Sequence, residues 1–339
     1  MNRKKLARKK LTLKDVASIL NLTPATVSKA LRDSSDISFE TKERVKEKCK
    51  ELGYRPNLLA RSLINNQSKI LGVLVPDLRI SFFSEAVRGM YEESSFKGYE
   101  CLLLVHDEDP AKERQKIEFL SDIGVDGILL NAVGGDENIS LYENMDHEGI
   151  KIVCWDRKLD NVPFNAVVIN DVDASYKLTS KIISHGRRNI LFLGPNTGIP
   201  VCRDRFEGYK KALQENGIQF NPDLVLETFR SVEDSYEKMS ALLDKQSQID
   251  GIVSIGGLIT YGAGKAILDH NLSIPNDIIL GEFGDNTVVS RLGTPFYTVN
   301  QNPYKIGKAA TDLLINIIET HKSYSDFKDI IIDSEVAQR

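Results

Sequence analysis

The 339-residue sequence lacks the features that mark membrane, secreted and metal-binding proteins. No apolar run approaches the roughly 18 residues that cross a bilayer, and the best runs, such as residues 70–76, have the length of a strand. The basic N-terminus is not followed by the apolar segment of a secretory signal. The four cysteines are scattered and form no CxxC pair, which argues against a zinc site or a disulfide framework. We therefore expect a cytoplasmic protein without a membrane or metal partner.

Sequence motifs of enzymes are also missing. There is no G-x-G-x-x-G, no G-x-S-x-G and no H-E-x-x-H, and the five histidines stand alone. Residues 262–265 (GAGK) match part of a phosphate-binding loop, but Ala266 replaces the Ser or Thr that such a loop requires. Because no nucleophile, base and orienting group can be assembled, we predict that the protein is not an enzyme and needs no cofactor.

Charge is distributed unevenly along the chain. The first 69 residues carry 17 Lys and Arg against 7 Asp and Glu, whereas the remainder carries 27 against 41. A basic head on an acidic body predicts that the head binds a polyanion. The alternative is a solvated basic tail, since six of the first ten residues are Lys or Arg.

Two short helices joined by a tight turn are predicted near the N-terminus. Apolar residues recur with helical spacing from Leu13 to Leu20, after Thr12 as the N-cap. Thr23 and Pro24 then start a second helix, and a third is predicted over residues 38–52. This order is typical of a helix-turn-helix, although a three-helix bundle with polar outer faces would give the same pattern.

The second helix carries the residues that would read DNA. Lys29 can donate to guanine, and Pro24 and Ala25 offer apolar surface to a thymine methyl group, while hydroxyl groups suit phosphates. The candidate DNA-binding residues of this region are Thr12, Lys14, Thr23, Pro24, Ala25, Thr26, Ser28 and Lys29.

Residues 12–32, TLKDVASILNLTPATVSKALR, resemble the N-terminal signature of the lactose-repressor (LacI) family. They are followed, at that family's spacing, by GYRPN at residues 53–57 and ARSL at residues 60–63. The family's glycine in the turn is Asn21 here, and its common recognition-helix arginine is Lys29, which lacks arginine's planar fork. The resemblance implies a homodimer that binds a pseudo-palindromic operator in double-stranded DNA.

The resemblance also implies a hinge helix from Asn57 to about residue 64. In the family this helix forms on operator binding, and Asn57, Ala60 and Leu63 would contact DNA here. Leu63 would enter the minor groove as a wedge and bend the duplex. The alternative is that the leucines of this segment pack on the body as ordinary linker residues.

After residue 68 the pattern alternates short apolar strands with amphipathic helices, which predicts doubly wound parallel sheets. The predicted strands cover residues 70–76, 101–105, 127–130, 152–154, 167–169, 190–193, 224–226, 251–255, 278–280 and 330–332. Ten strands exceed one core of typical size, so we expect two lobes. The resemblance implies the same α/β body, similar to a periplasmic sugar-binding protein, with three crossovers between lobes.

Polar residues that directly follow strands are the candidate ligand contacts, because ligands of doubly wound sheets sit beyond the carboxyl ends of strands. The candidate effector-binding residues are Asp77, Phe82, Asp156, Arg205 and Asp285. Carboxylates, an arginine and an aromatic wall suit a polyhydroxylated sugar, although each Asp has the alternative role of a helix cap or turn residue. The resemblance favours Arg205 most, and it also shows that the family's Asn-Asp after the eighth strand is Gly256-Gly257 here.

These observations predict a ligand-responsive transcription regulator, most simply a repressor, with a carbohydrate effector. The alternative is a solute-binding protein for transport. The predicted segments are a disordered basic tail (1–10), a helix-turn-helix domain (11–56), a hinge helix and linker (57–68) and an effector-binding and dimerisation body (69–339). Within the body, lobe one would comprise about 69–168 and 300–339, and lobe two about 169–299.

Overall fold

The computed structural model describes residues 11–54, 67–160, 162–195, 199–228, 231–245, 248–284 and 286–339. The chain divides into two compact units, Met1–Ser68 and Lys69–Arg339, which we call the head and the body. The described part of the head contains α1 (Leu13–Leu20), α2 (Pro24–Leu31) and α3 (Phe39–Leu52).

The head helices begin and end where the sequence predicts. The Thr12 and Thr23 side chains accept hydrogen bonds from the backbone N–H groups three residues further on, so each caps its helix. Asn21 ends α1 with φ 54°, in the left-handed region that Asn tolerates. The three helices bury a small core of their own, formed by Val16, Ala17, Leu20, Val27, Ala30, Val45 and Cys49.

The first sheet of the body is entirely parallel. Its strands are β1 (Ile70–Val75), β2 (Glu100–Val105), β3 (Gly127–Leu130), β4 (Lys151–Trp155), β5 (Ala166–Val168) and β11 (Ile330–Ile331). They lie in the order β11-β5-β4-β3-β1-β2. The near-continuous apolar character of the central strands fits a sheet that is covered by helices on both faces.

The second sheet is parallel except for its last strand. Its strands are β6 (Ile190–Leu193), β7 (Val225–Leu226), β8 (Gly251–Ser254), β9 (Ile279–Phe283), β10 (Tyr297–Asn300) and β12 (Glu335–Gln338). They lie in the order β12-β10-β9-β8-β6-β7, and β12 pairs antiparallel with β10. The chain therefore passes between the sheets three times, after β5, β10 and β11.

The body helices alternate with the strands. They are α4 (Ser81–Phe96), α5 (Pro110–Ile123), α6 (Ile139–His147), α7 (Asp171–Ser184), α8 (Pro200–Glu215), α9 (Val232–Asp244), α10 (Gly257–Asp269), α11 (Asn286–Val289) and α12 (Pro303–Thr320). Several helix pairs of the described body, among them α7–α8 and α9–α10, approach so closely that only glycine fits. A Cβ on Gly208 of α8 would lie 2.2 Å from the Val172 carbonyl oxygen, and one on Gly262 of α10 would lie 2.3 Å from that of Val232.

The predicted fold class is confirmed: a small helical head is followed by an α/β body with two sheets. Each of the ten predicted strands overlaps a strand of the structure, whereas β10 and β12 were not predicted. The prediction also assigned all of residues 300–339 to the first lobe, but β12 belongs to the second sheet. The reason is that β12 pairs with β10. This is a long-range contact, which the local sequence of a short strand does not predict.

Candidate functional site

The exposed surface of α2 presents the predicted DNA-reading residues. Pro24, Ala25 and Lys29 are exposed, while Val27 and Ala30 on the opposite side are fully buried in the head core. A helix-turn-helix reads base edges with the N-terminal residues of its second helix. Pro24 and Ala25 lie at that end of α2, whereas Lys29 is exposed in its last turn.

The hydroxyl groups predicted to contact phosphates also serve the head's own fold. The Thr12 hydroxyl donates to Asp15 Oδ2 at 2.7 Å, and the Thr23 and Thr26 hydroxyls lie 2.8 Å apart. Lys14 is exposed and Ser28 is half-buried. These contacts leave the DNA-binding role of each residue as a prediction, while Asn57, Ala60 and Leu63 lie outside the described residues.

Lys29 forms an ion pair within the head. Its Nζ lies 2.5 Å from Asp36 Oδ2, and both side chains are about half exposed, at 47% and 50%. The hydrogen bond from Lys29 lowers the pKa of Asp36 to about 2, so this carboxylate stays charged at neutral pH. An exposed pair of this kind contributes little stability, and the ammonium group keeps two further N–H donors for a base.

The body contains a cleft into which the carboxyl ends of both sheets open. It encloses about 700 Å³ of space outside protein atoms, including open solvent. Its walls come from the start of α4, the residues after β4, the start of α8, the turn from β8 into α10, and the ends of β9 and β10. The residues lining it are Ile80, Phe82, Phe83, Asp156, Arg157, Val201, Cys202, Arg205, Ile255, Gly256, Gly257, Leu258, Ile259, Phe283, Gly284 and Gln301.

Arg205 is the most constrained polar side chain of the cleft. It is 6% exposed, and its guanidinium donates to Asp171 Oδ1 at 2.7 Å, to the Ile255 carbonyl at 2.9 Å and to Gln301 Oε1 at 2.9 Å. The guanidinium carbon lies 4.1 Å from the centre of the Phe283 ring. Burial raises the pKa of Asp171 to about 6, although Arg205 acts in the opposite direction. Three of the five guanidinium N–H groups are thus used by the protein.

The opposite wall carries a carboxylate and a second buried arginine. Asp156 Oδ2 accepts from Asn131 Nδ2 at 3.1 Å, and Asp156 itself has φ 63°, in the left-handed region. Arg157 is 2% exposed and donates to both oxygens of Glu108, at 2.9 and 2.6 Å, and to the Ala132 carbonyl. Burial opposes the charge of Arg157, yet the Glu108 contact raises its pKa. This network holds Asp156 and Arg157 in fixed orientations.

The structure brings three of the five predicted effector contacts together. Phe82, Asp156 and Arg205 line the cleft, although the first and last of them are more than 120 residues apart along the chain. Asp77 is not among the lining residues; it accepts from the backbone N–H and the guanidinium of the exposed Arg79, which is the alternative turn role. Asp285 lies outside the described residues.

Several lining residues were missed from the sequence. Arg157 directly follows the predicted Asp156, so its position after a strand is the signal that could have found it. Gln301 follows β10, which was itself not predicted, and Phe283 ends β9 beyond the predicted segment. Asn131 does not line the cleft but holds Asp156; it directly follows β3 and could have been found by the rule that selected Asp156.

Membrane spans and metal sites are absent from the described ranges. No helix among them is long and apolar enough to cross a bilayer. They contain no group of three or more His, Cys, Asp or Glu side chains placed to hold a metal ion.

Two family models match the chain and divide it as the structure does. Residues 12–57 match the bacterial regulatory proteins of the lacI family, and residues 71–322 match a periplasmic binding protein domain. The HTH-type transcriptional regulator RegA of Clostridium saccharobutylicum is 32% identical over 97% of this chain and 98% of its own length. The ribose operon repressor of Halalkalibacterium halodurans is 30% identical, with 91% and 90% covered.

Solved structures share the fold at lower identity. A lac repressor dimer bound to operator and the anti-inducer ONPF has a TM-score of 0.84 at 21% identity, with 97% of this chain and 98% of that chain covered. A complex of the transcriptional regulator CelR with cellobiose has a TM-score of 0.72 at 22% identity, with 96% and 98% covered. The predicted resemblance is confirmed: this chain belongs to the lacI family of bacterial regulatory proteins, which are transcription regulators.

Proposed function

We propose that this protein is a DNA-binding transcriptional repressor whose operator affinity is set by a small ligand, a sugar or sugar derivative, bound in the cleft of the body. It acts as a homodimer in the cytoplasm, on a pseudo-palindromic operator, and without catalysis. Two copies of α2 would read the two half-sites of the operator.

The observation that carries the DNA-binding part is the exposed N-terminal end of α2. Thr23 caps the helix and Pro24 starts it, so the first residues that reach outward are Pro24 and Ala25, and Lys29 is exposed in the last turn. The match of residues 12–57 to the lacI family favours this function over that of a transport protein, which would use the body alone. We infer that Thr12, Lys14, Thr23, Thr26 and Ser28 contact the phosphate backbone around this helix.

The chemistry of the cleft supports the ligand class. The Asp156 carboxylate can accept from ligand hydroxyl groups, Arg205 can donate to ligand oxygens, and Phe82 supplies an apolar wall. Relatives and fold neighbours include a ribose operon repressor and a regulator solved with cellobiose. We infer that Phe82, Asp156 and Arg205 contact the ligand.

The cleft also suggests how ligand binding can alter DNA binding. Each sheet contributes one wall, so a ligand that contacts both walls favours one arrangement of the two lobes. Coupling of this kind is typically about 1–3 kcal/mol and is reciprocal, so operator and ligand must alter each other's affinity by the same factor.

The proposal is tested by selecting duplexes from a random pool with the full chain and measuring their affinity by fluorescence anisotropy. We expect a selected site with two related half-sites, bound about 10³-fold or more tightly than unrelated duplex. A variant lacking residues 1–66 retains the body's own core and should bind no duplex while keeping its ligand. Equal affinity of the full chain for selected and unrelated duplexes would contradict the proposal.

A further inference from the structure

The turn from β8 into α10, on the second-sheet wall of the cleft, offers a ligand only backbone polar groups. Residues 255–259, between β8 and the first turn of α10, are Ile, Gly, Gly, Leu and Ile, so none carries a polar side chain. Gly256 occupies the N-cap of α10 and provides no side-chain hydrogen bond. The first N–H groups of a helix have no acceptor within the helix, so those of Gly257, Leu258 and Ile259 are donors without a capping partner.

The N-terminus of α10 lies next to a buried arginine with unused donors. Arg205 Nη1 binds the carbonyl of Ile255, the residue just before the N-cap. The Arg205 side chain is 7% exposed, and two of its five N–H groups meet no acceptor in the described part of the chain. A buried guanidinium with unsatisfied N–H groups and an uncapped helix N-terminus thus line one region of the cleft.

Two arginines and one carboxylate line the cleft, namely Arg157, Arg205 and Asp156. The carboxylates that neutralise the two arginines, Glu108 and Asp171, hold them from positions that are not part of the lining. Backbone N–H groups, the positive end of a helix and guanidinium donors all bind anions better than neutral hydroxyl groups.

We propose that the effector carries an anionic group, a phosphate or a carboxylate, bound by the first amides of α10 and the two unused N–H groups of Arg205. Hydroxyl groups elsewhere on the same ligand donate to Asp156 on the opposite wall. The inference rests on the proposed function of the cleft and specifies its ligand class, a phosphorylated sugar or a sugar acid.

The N-cap position offers a direct test with a single substitution. A Cβ on Gly256 meets no atom within 4 Å, and its φ of −169° is extended backbone that any residue adopts. The variant Gly256→Asp therefore places a carboxylate at this N-cap, where it caps the free amides and repels an anion. Its matched control is Ser231→Asp, which adds the same charge at the N-cap of α9, another 13-residue helix whose start does not line the cleft.

The experiment measures binding to the full chain by calorimetry, with inorganic phosphate and with one sugar, its 6-phosphate and its aldonic acid as probes. We expect phosphate to bind the wild type and Ser231→Asp alike and to bind Gly256→Asp at least about tenfold more weakly. The 6-phosphate and the aldonic acid separate a phosphate site from a carboxylate site.

Three results would overturn the anionic ligand. These are no binding of phosphate, the 6-phosphate or the aldonic acid to the wild type, equal binding of every anionic probe to the wild type and Gly256→Asp, or a neutral sugar that binds at least as tightly as both of its anionic derivatives. Operator affinity of the same preparations separates this inference from the proposed function. A full chain that binds operator but prefers the neutral sugar refutes only the anionic group, whereas loss of all specific DNA binding refutes the function itself.

Discussion

The head and the body encode their sites in different ways. In the described head, all eight candidate DNA contacts lie between Thr12 and Lys29, on two helices and the turn that joins them. In the body, the cleft collects residues from Ile80 to Gln301, which only the two sheets bring together. The head site therefore depends on local helix signals, and the body site depends on topology. It follows that substitutions should separate DNA binding from ligand binding.

The largest expected effect is the loss of ligand affinity in the variant Arg205→Lys. Lysine keeps a positive charge near Asp171 but cannot donate at the same time to Ile255, Gln301 and a ligand. We expect ligand affinity to fall by about 100-fold, or about 3 kcal/mol, with unchanged operator affinity in the absence of ligand.

Calorimetry with any ligand found in a thermal-shift screen measures this loss. The matched control is Arg203→Lys, because Arg203 is 54% exposed, pairs with Asp160 and Asp204, and does not line the cleft. Equal ligand affinity of the two variants would remove Arg205 from the site.

The next effect is on stability and concerns the body alone. In Gly262→Ala the new Cβ would lie 2.3 Å from the Val232 carbonyl oxygen, so α9 and α10 must move apart. We expect the free energy of unfolding of the body to fall by about 1–3 kcal/mol, as measured by urea denaturation. Gly256→Ala is the control, because its Cβ meets no atom within 4 Å and should change stability by less than about 0.5 kcal/mol. Similar losses in both variants would show that close helix packing is not the cause.

A comparable effect on DNA binding is expected from Lys29→Ala in the head. Loss of a base contact should weaken binding to the selected operator by about 1–3 kcal/mol and relax its sequence preference, without changing ligand affinity. Lys46→Ala is the control, since Lys46 is an exposed α3 residue that pairs with Asp33 and Glu43. Anisotropy titrations against operator and mutated operator measure both. An equal loss on every duplex would make Lys29 a phosphate contact instead.

The smallest effect is a pH dependence of body stability through Asp171. The pKa of Asp171 is raised from 3.8 to about 6 by burial, so the folded state binds this proton more tightly than the unfolded state. Its contribution to stability therefore rises as pH falls from 7 through 6 and levels off below about 4. We expect the wild type to gain about 1 kcal/mol relative to Asp171→Asn between pH 7 and pH 5.

The comparison with Asp171→Asn removes the contribution of other groups. The buried His106 acts in the opposite direction, since burial lowers its pKa and the folded state resists its protonation. Urea denaturation of both proteins at the two pH values is the measurement. Parallel pH profiles would contradict the raised pKa of Asp171.

The sequence predicted the head closely because its signals are local. Thr12, Thr23 and Pro24 each act on a neighbouring turn of backbone, and all three occupy the predicted cap or first-turn positions. The apolar spacing then specifies which faces of the helices are buried. The roles of these residues toward DNA remain predictions, because they depend on a partner.

The body was predicted in outline, and its errors are long-range. The apolar runs identified ten strands, but β10 and β12 become strands through pairing with each other across more than thirty residues. β10 also pairs with β9, and Gln301 was missed because it follows this strand, which the pattern did not indicate. The rule that ligands bind beyond strand ends found Asp156, but it cannot separate that residue from Asp77, which is bound to Arg79. The backbone amides at the start of α10 could not be predicted as ligand contacts, because no polar side chain marks them.

The central claim is that a ligand in the body changes how tightly the head binds DNA. Its most direct test is the operator affinity of the full chain by anisotropy at increasing concentrations of a ligand that calorimetry shows to bind the body. We predict a change of about 5- to 150-fold between no ligand and saturation, and a change of ligand affinity by the same factor when operator is saturating. An operator affinity that is the same with and without saturating ligand would contradict the account.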